Sequence, residues 1–258
     1  MIYYFGNINK ITNMNFSDNS YISLNSGSDL ALNAMTGKFG LQYEQKLGGD
    51  VSMIVGATYK LGTDVKGYST NFRYANQSSV SDTLKYSVDT LAGSGIRLAD
   101  ELGIGIALKG GDKWSAEFNY LRSDWSNSGM ADAPGFAVVG DSRFSTTLSN
   151  SFRAGFEIVP DRNDIRRYFN RCAYRAGLYY DKAYYKLDGN AVNSMGLTLG
   201  MTLPIETDNS YGRYNGITLG MDIGQKSNSR NGMIRERYVM FVIGFNIHDL
   251  WFRKHQYN

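Results

Sequence analysis

Residues 51–61 read Val51-Ser52-Met53-Ile54-Val55-Gly56-Ala57-Thr58-Tyr59-Lys60-Leu61. Val51, Met53, Val55, Ala57, Tyr59 and Leu61 fall on one side of a period of two, with Ser52, Gly56, Thr58 and Lys60 on the other. That period belongs to a β-strand, whose successive side chains point to opposite faces. The preceding residues 39–47 repeat it: Phe39, Leu41, Tyr43 and Leu47 alternate with Gly40, Gln42, Glu44 and Lys46. Gly48-Gly49-Asp50 joins the two as a tight hairpin.

The same pattern continues toward the carboxyl end. Ile96, Leu98, Leu102, Ile104, Ile106 and Leu108 form one apolar row, and Lys109-Gly110-Gly111-Asp112 turns the chain into Trp114, Ala116, Phe118 and Tyr120. After a Gly/Ser/Pro-containing stretch over 126–142, a long strand places Phe144, Leu148, Phe152, Phe156 and Ile158 opposite Arg143, Ser145, Ser149 and Arg153. Strands of the same build are expected over 173–187, 193–203, 215–224 and 235–247.

Composition agrees with a strand-rich chain. In 258 residues there are 29 Gly, 19 Tyr and 13 Phe but only 3 Pro. The mean hydropathy is −0.35, and the longest near-continuous apolar run, Tyr238 to Phe245, spans about eight residues against roughly eighteen for a spanning helix. Helical membrane spans are therefore excluded. The single cysteine, Cys172, excludes an intrachain disulfide and a multi-Cys metal site. A formal charge of +3 is too mild to argue for nucleic acid.

The second face decides the environment. A small soluble barrel or sandwich fills its interior with bulky branched residues, whereas here Gly196, Thr198, Gly200 and Thr202 lie beside Gly216, Thr218, Gly220 and Asp222. Such a face suits a wet lumen, and the apolar face suits lipid. Strands of about ten residues cross a bilayer core when tilted. Tyr59, Tyr120, Trp125, Tyr180, Trp251 and Phe252 sit near strand ends as an interfacial girdle. Hydrocarbon admits sheets only as closed barrels, so the expected fold is an all-β, antiparallel transmembrane β-barrel. A soluble all-β protein would share the alternation, but regular strand lengths and the scarcity of a second apolar layer count against it.

Connection lengths give an independent check, because outer-membrane barrels alternate short periplasmic turns with longer outside loops. With turns 48–50 and 109–112 placed in the periplasm, residues 62–95 become one outside excursion, an extended hairpin. Residues 2–10 then count as the first crossing, for about ten strands in all. Met1 to Lys10 has neither a basic n-region nor a cleavage site, so it is not a secretory signal. Either the protein is cytosolic or the chain lacks its true beginning, and the strand-like opening favours the second.

Several segments resemble the FadL-type long-chain fatty-acid transport barrels, in the form common among Bacteroidetes. They are Tyr174-Arg175-Ala176-Gly177-Leu178-Tyr179-Tyr180, Gly196 to Gly200 leading into Leu203-Pro204-Ile205, Ile158-Val159-Pro160-Asp161-Arg162-Asn163, and Phe245-Asn246-Ile247-His248-Asp249-Leu250-Trp251-Phe252-Arg253-Lys254. The resemblance covers the last hundred residues and implies a fourteen-stranded barrel with an amino-terminal plug. Residues 1–258 would then be a single barrel domain without the plug and the first strands.

No catalytic constellation emerges, and the chain is read as a non-enzyme with no cofactor and no metal. His248 and His255 have no nucleophile or metal-ligand spacing nearby. Gly103-Ile104-Gly105-Ile106-Ala107-Leu108 lacks the third glycine of a dinucleotide fingerprint and lies within a strand. The informative charges are those that alternation turns inward: Arg97, Glu117, Arg143, Arg153, Arg175 and Asp222. They suit an ion-pair network across the lumen or, at Arg153 and Arg175, a ligand carboxylate. Residues 161–171 break the period and read as a short basic helix capped by Asp161 or Asn163. Within it Arg162, Arg166, Arg167, Tyr168 and Phe169 form a candidate periplasmic partner contact.

Two functional expectations follow for an outer-membrane barrel of a Gram-negative bacterium. The first is passive uptake of hydrophobic small molecules such as fatty acids. The second is a non-transporting subunit of an outer-membrane protein assembly or secretion complex. Expected partners are outer-membrane lipid, a hydrophobic ligand and other outer-membrane proteins or lipoproteins, with no nucleic acid. An outer-membrane esterase is a third reading without a Ser/His pair to support it.

Overall fold

The computed structural model describes residues 1–16, 22–77, 80–90, 95–131, 138–139, 142–208, 213–227 and 234–246. His248, His255, Trp251 and Phe252 lie outside them. In chain order the strands are β1 (Ile2–Met14), β2 (Ser23–Thr36), β3 (Lys38–Gly48), β4 (Val51–Lys60), β5 (Thr63–Asp64), β6 (Lys66–Gln77), β7 (Val80–Thr90), β8 (Arg97–Leu98), β9 (Glu101–Gly110) and β10 (Trp114–Asp124). They continue as β11 (Val138–Val139), β12 (Ser142–Thr146), β13 (Leu148–Ile158), β14 (Ala173–Leu187), β15 (Asn190–Asp208), β16 (Arg213–Lys226) and β17 (Glu236–Asn246). One 3₁₀ turn, Tyr168–Arg171, precedes β14.

Nine strands pair in one path, β17-β16-β15-β14-β13-β10-β9-β4-β3, and every pairing is antiparallel. The wall strands follow one another in chain order, with β5–β8 inserted between β4 and β9 and β11–β12 between β10 and β13, as in up-and-down barrels. The hairpin at Gly48-Gly49-Asp50 forms as expected, with Gly48 and Gly49 both at positive φ.

Register carries each strand's alternation across the whole wall. Leu41, Ala57, Ile104, Tyr120, Phe152 and Tyr180 follow one another through directly paired positions. On the other face the corresponding line runs through Gln42, Gly56, Gly105, Asn119, Arg153 and Tyr179. The apolar face is the more exposed: Leu178 is 61% and Phe241 74% accessible, while Thr202 retains 1%. This inverts a water-soluble fold, in which such residues are buried. A continuous exposed apolar surface of this kind belongs against hydrocarbon.

A second sheet, β1-β2-β6-β7, stands at the end of the wall that carries the long connections. It grows from the first wall hairpin: β2 runs into β3 through Gly37, and Leu61 N–H donates to Gly37 O at 3.0 Å across the junction. One face of this sheet packs on the mouth of the wall, where Leu30, Ala34, Val65 and Ile96 are buried against Leu32, Leu98 and Met130. Residues 62–95 do supply an extended hairpin, β6–β7. Residues 2–10, expected as the first crossing, instead pair with β2 inside this second sheet. Alternation identifies a strand without naming its neighbour.

Two expected continuous strands are interrupted. The strand over 143–158 breaks at Thr147, so that β12 pairs with the upper part of β14 while β13 runs between β10 and β14. The apolar row from Ile96 to Leu108 breaks after Leu98, separating β8 from β9.

Candidate functional site

The polar face of β13–β17 is built on glycine. Gly155, Gly177, Gly196, Gly200, Gly220 and Gly224 each have a larger residue opposite on one neighbouring strand, respectively Glu117, Thr198, Tyr179, Arg175, Val242 and Tyr238. A Cβ on Gly196 would collide with the Tyr179 ring, and one on Gly224 with both Tyr238 and Tyr179. The glycines therefore let long polar side chains lie flat along the wall.

Two networks result. Glu157 on β13 is directly opposite Arg175 on β14, and Arg175 Nε donates to Glu157 Oε2 at 2.5 Å. Arg175 Nη1 donates to Thr202 Oγ1 at 2.7 Å, and Thr202 Oγ1 lies 2.9 Å from Thr218 Oγ1. The second network centres on Tyr179, whose hydroxyl donates to the Asp222 carboxylate at 3.1 Å and also contacts the Tyr238 hydroxyl. A carboxylate only accepts, so the Tyr179 proton goes to Asp222 and Tyr238 donates to Tyr179. Beside them Arg153 reaches Asp181 at 3.8 Å, and Ser151 hydrogen-bonds the same carboxylate. Glu117, Arg153, Glu157, Arg175, Tyr179 and Asp222 line one groove of about 720 Å³.

Glu117, Arg153, Arg175 and Asp222 thus share the polar face. Arg97 and Arg143 do not join them: Arg97 lies on β8, paired with Asp64 at 3.3 Å, and Arg143 lies on β12, its backbone N–H donating to Asp188. The strand breaks carry both beyond the crossing. Glu157, Asp181, Tyr179 and Tyr238 are additional members. Alternation alone places Glu157 with Arg153 and Asp181 with Arg175, so that signal was present in the sequence; their pairing required the register. At the mouth Glu101 bridges Lys38 at 3.0 Å and Lys60 at 3.7 Å.

The β13–β14 connection is not the expected helix. Asp161 accepts from Asn163 N–H at 2.9 Å. Asp164 accepts from Arg166 N–H at 2.8 Å and Arg167 N–H at 2.9 Å. These side-chain turns compete with helix formation, leaving only Tyr168–Arg171 as a 3₁₀ turn with no side-chain cap. The Arg167 N–H, then the Asn170 amide and the Arg166 N–H, hold the Asp164 carboxyl below the usual carboxylate range. Tyr168 donates to Pro204 O at 2.9 Å, and the apolar-face residue Tyr174 donates to Phe169 O at 3.0 Å. Ile165 and Phe169 stay exposed, and the Arg171 guanidinium stacks 5.1 Å from the Tyr168 ring centre. Arg162, Arg166 and Arg167 belong to the same connection.

Among the described residues, no group of three or more His, Cys, Asp or Glu side chains is arranged to hold a metal. No helix among them is long and apolar enough to cross a membrane. The antiparallel wall, its exposed apolar face and its polar opposite face define an outer-membrane β-barrel protein. The chain belongs to the BamG family, whose model matches residues 1–258. No curated protein matches it. Among solved structures it is similar to the CymD monoaromatic hydrocarbon channel, with 13% identity and a TM-score of 0.37, covering 80% of this chain and 65% of that one.

Proposed function

We propose that this protein is a barrel subunit of a multi-protein assembly in the outer membrane of a Gram-negative bacterium, acting through contacts rather than through chemistry or flux. The observation that carries this reading is the polar face, where Arg175, Glu157, Thr202, Tyr179, Asp222 and Tyr238 partner one another across four strand boundaries. Such cross-strand bonds stiffen a wall. The family name BamG also points toward association with other outer-membrane proteins. The connection carrying Arg162, Arg166, Arg167, Tyr168 and Phe169 supplies the periplasmic contact, since exposed apolar side chains among arginines suit a protein interface. In this reading the wall's edge strands, β3 and β17, are paired in the membrane, because each unpaired backbone group in hydrocarbon costs several kcal/mol.

A second reading, passage of hydrophobic small molecules, is favoured by one local feature. Between β4, β9 and β10 a groove of about 680 Å³ is lined by Ile54, Ala107 and Leu121 beside Gly56, Gly103 and Gly105. Affinity purification of the full-length protein in mild detergent, paired with solute-flux assays in liposomes, separates the two. The subunit reading expects stoichiometric co-purification of other barrels or lipoproteins and background flux. A protein that purifies alone and conducts a hydrophobic solute overturns it.

A further inference from the structure

The outward face of the β1-β2-β6-β7 sheet is bare, whereas its inward face is buried along β2 and β6 at Leu30, Ala34 and Ser69. Tyr3, Phe5, Met35 and Tyr68 are 59%, 79%, 56% and 52% exposed. Register puts them on one surface: Tyr3 is opposite Met35, Phe5 opposite Asn33, and Ala31 opposite both Asn7 and Tyr68. Tyr3 and Phe5 stack with ring centres 5.7 Å apart, and the Phe72 ring covers Gly27, where a Cβ would collide with it. Asn33, opposite Phe5, and Asn7, opposite Ala31, lie on the same face.

This surface continues the lipid-facing face of the wall. From Met35 through Gly37 to Phe39 and Leu41 the alternation passes the β2–β3 junction without a slip, and the space beside Gly37 is bounded by Phe39 and Leu61 of the apolar face. Whatever contacts the wall just below the junction therefore extends upward onto Tyr3, Phe5 and Tyr68. The end with long connections is the outside of an outer-membrane barrel, so the neighbour at that height is the head group of the outer leaflet.

We propose that this face binds the saccharide head groups of outer-leaflet glycolipids, which form a shell around the barrel above the hydrocarbon. The inference rests on the reading of the wall as an outer-membrane barrel. A pyranose offers an apolar C–H face that lies against the electron-rich face of an aromatic ring, and hydroxyls that exchange hydrogen bonds with amides. Tyr3, Phe5 and Tyr68 supply the first and Asn7 and Asn33 the second. Lys66, exposed opposite Asn33, adds a cation to this face, and the lipid A arm of the test below separates its pairing with a phosphate from sugar binding.

The test compares the full-length protein in nanodiscs containing lipopolysaccharide with a complete core oligosaccharide, lipid A alone, or phosphatidylethanolamine with phosphatidylglycerol, read by amide hydrogen exchange. With core sugars, exchange in β1, β2 and β6 is expected to slow about tenfold relative to lipid A, the ratio equivalent to roughly 1.4 kcal/mol, while the wall strands are unchanged. The triple variant Tyr3→Ser, Phe5→Ser, Tyr68→Ser, made at exposed positions, should insert normally and lose that protection. Equal exchange in lipopolysaccharide and lipid A discs overturns the proposal and leaves the membrane reading intact. Protection found in native membranes but in none of the discs assigns the face to a protein and overturns it too. Failure to enter any disc overturns both.

Discussion

Glu157 and Arg175 occupy directly paired positions of β13 and β14, with Arg175 Nε 2.5 Å from the carboxylate and the other arm of the guanidinium committed to Thr202 on β15. One side chain thus ties three strands on the face opposite the lipid. Both groups retain partial access to solvent, 39% for Arg175 and 29% for Glu157, which limits the strength of the pair. Glu157→Gln and Arg175→Met should each cost about 1 kcal/mol, with a coupling energy of the same order in the double mutant. Urea unfolding in detergent or lipid checks this, and strictly additive mutants would remove the pair from the account of wall stability.

The sidedness of the wall makes a sharper prediction. Leu178 points to the apolar face at mid-strand, and Thr198, opposite Gly177 on the next strand, points to the polar one. Leu178→Arg should destabilise the inserted protein by roughly 2–4 kcal/mol, the cost of a cation near the bilayer midplane. Thr198→Lys should cost well under half of that. Folding yields into vesicles measure both, and the reverse order would place the hydrocarbon on the other face.

Glycine 196 is a third target, because the Tyr179 ring lies over it. Gly196→Val should displace that ring, break its hydrogen bond to Asp222 and cost about 1–3 kcal/mol by overpacking. Adding Tyr179→Ala should recover part of the loss. Heat-modifiable gel mobility follows the folded fraction of each variant.

The β13–β14 connection should respond to acid. The Asp164 carboxyl is depressed by the Arg167 N–H, the Asn170 amide and the Arg166 N–H. A carboxyl lowered in the folded loop stabilises that loop above its unfolded value, and the contribution fades as pH falls through the lowered folded value. Protection of the Arg166 and Arg167 amides, corrected for intrinsic exchange, should therefore hold through neutral and mildly acidic pH and decline below. Asp164→Ala should show low protection throughout. A decline in the alanine variant matching the native one would assign the effect to another group.

The wall was legible in the sequence because each crossing advertises its own faces: residues 51–61 and 39–47 state the alternation and the turn between them without help from the rest of the chain. What alternation lacks is register and neighbour identity. Arg175 could be assigned inward, but its meeting with Glu157 depends on a pairing fixed by the 159–172 connection. The strand starting at Ile2 was recognised and then placed in the wrong sheet, since β1 pairs with the part of the first hairpin that rises past the wall. The basic stretch 161–171 has the side-chain spacing of a helix, yet Asp161 and Asp164 capture backbone N–H groups locally and turn the chain instead. Arg97 and Arg143 were misplaced for a related reason, because breaks at Ala99-Asp100 and Thr147 carry them beyond the crossing.

Gly37 leaves the row from Met35 to Phe39 uninterrupted, and a consequence follows for membranes of different thickness. The greasy row continues one position past the junction, to Met35, before Asn33 follows. A bilayer a few ångströms deeper than usual would rise past Phe39 onto Met35 and Tyr3, and mismatch costs only fractions of a kcal/mol per ångström. The strand pair would then meet a swelling leaflet with apolar surface rather than by tilting the whole body.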